Sequence, residues 1–143
     1  DTVRQLTTVG IPVVGHLGLT PQSVHQLGGY RLQGRDSAQA SAIQSQAEAL
    51  ERAGCCALVL EKVPARLAAM IAQQLSIPVI GIGAGADVDG QVLVSQDMLG
   101  MEESFSPKFL RRFGAVGTAI RQATSDYIAA VKERSFPTID ESY

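Results

Sequence analysis

Apolar residues follow two rhythms along this chain. Unbroken runs at 11–17, 56–61 and 77–82 are too short for helices and do not alternate, so they read as strands buried on both faces. Val92-Leu93-Val94 opens a fourth strand that ends near Asp97. Between the strands the spacing turns helical. Asp36 is a good N-cap, and Ile43, Ala47, Leu50 and Ala53 then recur at helical intervals up to Gly54. Pro64 suits a first helical turn, with Leu67, Met70, Ile71 and Leu75 as the buried face. Residues 115–134 predict a long helix with Ile120, Ile128 and Val131 inward, 107–113 a short one, and 22–27 one or two turns ended by Gly28-Gly29. Residues 1–9 read as the end of a helix stopped by Gly10. A chain that opens inside an element leads us to expect further sequence upstream.

Strand and helix in repetition, with strands buried on both faces, means a parallel α/β sheet. Four such strands do not close, and left alone they would expose two edges and an apolar inner face. They are half of an eight-unit barrel, whose usual length is about 250 residues. The expected fold is therefore a parallel (β/α)8 TIM barrel, of which residues 1–135 supply about the last four βα units. Residues 136–143, without periodicity, form an irregular tail. A small doubly wound sheet is the competing architecture.

Each predicted strand ends in something polar or backbone-exposing: His16, Glu61, the glycine run Gly81-Ile82-Gly83-Ala84-Gly85, and Asp97. In a parallel sheet these ends gather on one rim, where α/β folds bind ligands. A single polar terminus would mark only where a strand leaves the core. Glu61 directly follows Leu58-Val59-Leu60, so its carboxylate is expected to be partly desolvated, which suits general-base work; the alternative is an ion pair with Lys62 or a rim arginine. His16 is read either as a proton shuttle or hydrogen-bond donor, or as a satisfied core histidine, and His25 as surface. The glycine run fits a dinucleotide fingerprint only superficially, because Asp87, Asp89 and Gly90 intervene where a helix should open. Gly81, Gly83 and Gly85 are better read as backbone that must approach a ligand or a neighbouring loop. Asp87-Val88-Asp89-Gly90 is a polar turn rather than a calcium loop.

Composition narrows the classes of partner. Of 143 residues, 45% are hydrophobic and 18% charged, which excludes a disordered charged tail. A formal net charge of −2 gives no electrostatic reason to expect nucleic acid or an anionic membrane. No apolar stretch approaches a membrane span, and the first residues lack the basic-then-apolar pattern of a signal peptide, so the expected location is the cytoplasm. Cys55 and Cys56, adjacent in an apolar run, are expected to be small buried hydrophobes of a reducing compartment. Lys108, Arg111 and Arg112 are read as a solvated helix face.

Several stretches together closely resemble the ketopantoate hydroxymethyltransferase family. They are Gly15-His16-Leu17-Gly18-Leu19-Thr20-Pro21-Gln22-Ser23-Val24, Gly28-Gly29-Tyr30-Arg31-Leu32-Gln33-Gly34-Arg35, Leu60-Glu61-Lys62-Val63-Pro64, the segment 77–85, Asp89-Gly90-Gln91-Val92-Leu93-Val94 and Pro107-Lys108-Phe109. The resemblance covers nearly the whole chain, in order. It implies a (β/α)8 barrel, usually decameric, that transfers a one-carbon unit from 5,10-methylenetetrahydrofolate to 3-methyl-2-oxobutanoate, giving 2-dehydropantoate for pantothenate and coenzyme A synthesis. It further implies a Mg²⁺ that, chelated by the keto acid, stabilises the enolate. Glu61 matches the base that removes the C3 proton, and His16 the histidine beside the transferred hydroxymethyl group. The family's metal-binding aspartates belong to the amino-terminal half, so no metal ligand is assigned in this chain. The implied partners are that amino-terminal half, further copies of the same protein, and small-molecule substrates. Two rivals stay open: another metal-dependent keto-acid C–C lyase or transferase of the phosphoenolpyruvate/pyruvate barrel type, and a non-catalytic half-barrel that associates through its sheet edges.

Overall fold

The computed structural model describes residues 1–102 and 104–143. They form two compact units, Asp1–Val92 and Leu93–Tyr143.

In the first unit, helix α1 (Thr2–Thr8) leads into strand β1 (Val14–Gly18); α2 (Ser37–Arg52) follows, then β2 (Ala57–Glu61), α3 (Ala65–Gln74), β3 (Val79–Ile82) and β4 (Gly90–Gln91). All neighbouring strands are parallel, in the order β1-β2-β3-β4. A doubly wound sheet reverses its strand order partway. This sheet runs straight through in sequence and shows no such reversal among the described residues.

The core lies on one face of the sheet. Leu58 and Leu60 of β2 and Val79 of β3 are fully buried beneath Ile43 and Ala47 of α2 and Leu67, Ala68 and Ile71 of α3. Fully burying a Leu contributes roughly 1.5–3 kcal/mol, so these contacts dominate the unit's cohesion. α2 starts where the pattern predicts: the Asp36 carboxylate accepts from the Gln39 N–H at 2.8 Å. Because side chains alternate along a strand, the opposite face carries Val14, His16, Val59, Glu61, Ile80 and Ile82. Val14 is exposed and the others are only partly buried. Met70, expected on the buried side of α3, is instead exposed.

Several expectations are corrected. The fourth strand is not residues 92–97. Pairing covers Gly90 and Gln91, with one further bond from Val92 N–H to Gly81 C=O at 3.0 Å. Val94 then caps a one-turn helix, α4 (Ser95–Met98), because Ser95-Gln96-Asp97 offers no apolar run to continue a strand. Asp97 therefore sits inside a helix and ends no strand.

In the second unit the short helix at 107–113 is absent; Pro107 and Leu110 close only a turn. The basic residues there are accordingly not a helix face: Arg111 lies over the Phe113 ring at 4.6 Å, and the Arg112 guanidinium donates to the Phe105 carbonyl. The long helix is α5 (Val116–Lys132), but Ile120, Ile128 and Val131 are exposed rather than inward. The tail is not wholly irregular, since Thr138 and Glu141 form a reciprocal capping box around a 3₁₀ turn at Ile139–Glu141.

Candidate functional site

Register brings the first two predicted site residues together. His16 pairs with Val59 and Gly18 with Glu61, so His16 and Glu61 lie on one face of neighbouring parallel strands; Glu61 closes β2, whereas His16 lies two residues before the end of β1 rather than at its end as expected. Their side chains meet: His16 Nε2 stands 3.1 Å from Glu61 Oε2, across 45 positions of sequence. Both are part-exposed, the imidazole more than the carboxylate. A carboxylate can only accept, so with Glu61 ionised it is Nε2 that carries the proton. In the neutral imidazole this leaves Nδ1 free to accept from a hydroxyl. The pair is thus a carboxylate held ready for a proton, beside a ring with a second hydrogen-bonding atom.

Lys62 does not pair with Glu61; its ammonium donates to the Tyr30 carbonyl. A cavity of about 380 Å³ opens beside His16, lined by Gly18, Thr20, Gln33, Gln39 and Gln46 among others. His25 is exposed, as expected.

The glycine run follows β3. A Cβ on Gly85, where φ is +86°, would lie 2.4 Å from the Ala65 Cβ at the start of α3. Close packing against that helix accounts for this glycine. Gln91 Nε2 donates to the Gly85 carbonyl at 2.8 Å and holds the loop in place. Asp89 Oδ2 accepts from the Val79 N–H at 2.8 Å, which agrees with a polar turn and engages that carboxylate.

Of the two free cysteines, only Cys55 is buried; Cys56 is exposed, which corrects the expectation for it. Burial pushes the Cys55 thiol above its ordinary 9.0, with a further rise from Cys56 and a smaller opposing pull from a hydrogen bond to the Gly15 backbone.

Among the described residues, no three His, Cys, Asp or Glu side chains cluster to hold a metal ion. Glu61 offers a single carboxylate, whereas Mg²⁺ favours oxygen-rich octahedral surroundings. The described residues thus offer no oxygen-rich set around Glu61 for magnesium.

Inspection of sequence missed the backbone partners that hold the Glu61–Lys62 segment: Leu19, Gln33 and Ile82. Main-chain hydrogen bonds between loops leave no residue pattern to find.

The chain is 57% identical over its 143 residues to a protein of Methylobacillus flagellatus, 53% to one of Bacteroides fragilis and 52% to one of Anaeromyxobacter dehalogenans. Each of the three is named 3-methyl-2-oxobutanoate hydroxymethyltransferase. The alignments take in all of this chain but 55%, 52% and 47% of those relatives, so it spans about half their length. With residues 1–139 also matching the family's own profile, the chain belongs to the ketopantoate hydroxymethyltransferase family.

Proposed function

We propose that this chain is part of an enzyme that transfers the one-carbon unit of 5,10-methylenetetrahydrofolate to 3-methyl-2-oxobutanoate, with water supplying the hydroxyl oxygen, giving 2-dehydropantoate for pantothenate synthesis and releasing tetrahydrofolate. The His16–Glu61 contact at 3.1 Å carries the reading, in a chain of this family. The acceptor carbon, C3, must lose a proton before it can attack the one-carbon unit. Glu61 is the base that takes it, and the partial burial of its side chain limits competing hydration of the carboxylate. His16 holds that carboxylate through Nε2 and orients the hydroxymethyl oxygen at Nδ1. Gly81 at the end of the next strand, with Gly83 and Gly85 in the loop that follows it, borders the substrate side of that rim. Bound Mg²⁺ would supply Lewis-acid stabilisation of the enolate, from ligands outside this chain.

The sequential parallel order and the uncovered sheet face support a (β/α)8 barrel in which residues 1–135 form about four of the units. The amino-terminal half completes it, in the same or a separate chain, within a homo-oligomer, a decamer by family resemblance, in the cytoplasm. Among the described residues no helix is long and apolar enough to cross a membrane.

The test is to supply the remaining half of the family's length, in one chain or by co-expression, and to follow methylenetetrahydrofolate-dependent formation of 2-dehydropantoate. Turnover that requires both halves and fails in Glu61→Gln is expected. Product formation undiminished by that substitution would end the assignment of Glu61 as base.

A further inference from the structure

Strand alternation puts Leu60 on the helix-covered face and Glu61 on the open one. Continued regularly, it would put Val63 on the open face beside Glu61. Val63 is instead buried in the core cluster with Leu60 and Leu67. The break falls on Lys62, whose φ is +52°, one of two non-glycine residues with positive φ among those described. A single left-handed residue lets the carboxylate stay on the open face while the next side chain enters the core.

The turn is gripped from three sides. Lys62 N–H donates to the Ile82 carbonyl at 2.8 Å, Lys62 C=O accepts from Gln33 N–H at 2.9 Å, and Glu61 C=O accepts from Leu19 N–H at 2.8 Å. The Lys62 ammonium adds its bond to the Tyr30 carbonyl. The β1 loop comes so close that a Cβ on Gly18, where φ is +87°, would lie 2.1 Å from the Glu61 carbonyl oxygen. Non-glycine residues in this region are uncommon, and such outliers gather where surrounding structure holds a functional group in place.

We infer that the left-handed turn at Lys62, locked under Gly18, is the device that aims the Glu61 carboxylate at His16 and the substrate. Lys62 and Gly18 are positioning residues; neither needs to touch substrate. The inference rests on the proposed role of Glu61, and the experiment separates the two. In the full-length enzyme, Lys62→Gly keeps the turn and loses only the ammonium contact, while Lys62→Val disfavours the turn, since β-branched residues resist positive φ.

Lys62→Val is expected to lose kcat by about 100-fold, the scale of a small misplacement of a reacting group, with KM little changed. Lys62→Gly should stay much nearer the parent. The acidic limb of the pH–rate profile should move in Lys62→Val and not in Lys62→Gly. If Lys62→Val does not accumulate folded, Lys62→Thr, also β-branched, replaces it and should fall on the same side of Lys62→Gly. An activity-independent readout is the His16 ring by ¹H–¹⁵N NMR, where the Nε2–H signal bonded to carboxylate should persist in Lys62→Gly and be lost in Lys62→Val. Equal kcat and equal ring spectra in the two variants would overturn the inference. Glu61→Gln serves as reference: full turnover there removes Glu61 as base, and the ring spectra still decide whether the turn aims it.

Discussion

The two faces of the four-stranded sheet do different work with the same strands. On one, Leu58, Leu60 and Val79 are sealed beneath α2 and α3. On the other, His16 and Glu61 meet at 3.1 Å among side chains only partly buried. β2 serves both through the alternation Leu58, Val59, Leu60, Glu61, so one residue step separates a group held by packing from one held for chemistry. Rigidity is therefore supplied from behind. A reactive pair on a half-open surface stays placed because the next residue along each strand is anchored.

This contrast can be broken from either side. The largest effect is expected from Glu61→Gln in the full-length enzyme, which should lower kcat by about 10²–10⁴-fold, the usual range for a general base. Its melting temperature should move little, since the side chain lies on the face opposite the buried core and Gln is nearly isosteric. A matching loss of stability would mean that the open face is structural. The mirror experiment is Leu60→Ala, expected to cost about 2–5 kcal/mol in a denaturant titration, as buried Leu truncations do.

Smaller effects sharpen the same picture. Asp36→Ala removes the cap of α2 and should cost about 1 kcal/mol by the same titration, leaving the His16–Glu61 geometry intact. Smallest is the thiol pair. Cys56 should be alkylated first in the folded protein, with fragment masses locating the label, because burial keeps Cys55 protonated. The sign for stability follows. The folded thiol of Cys55 titrates above its ordinary 9.0, so the unfolded chain loses that proton first; stability should fall as pH rises past 9.0, and Cys55→Ala should flatten the decline.

Much of the arrangement was legible from residue order. The cap of α2 at Asp36, strands β1 to β3 and the carboxylate closing β2 all follow from local pattern, because an N-cap, a helical stripe and a short apolar run each write their signal within a few residues. Where that signal was thin, expectation failed. Val92-Leu93-Val94 is apolar enough for a strand, yet pairing ends at Gly90–Gln91 and Val94 caps a turn of helix. The stripe on α5 is apolar but exposed, since a stripe states what could be buried and not what lies against it.

Sequence alone was enough to place an imidazole and a carboxylate on two apolar strands, since a short apolar run is a local signal. Their meeting required folding. It depends on the register of β1 against β2, set by packing under α2 and α3, and on a left-handed turn at Lys62 held by loops from elsewhere in the chain. Shifting that register by one residue would turn Glu61 away from His16 without altering a single local preference, and for that reason the pairing belongs to the tertiary structure.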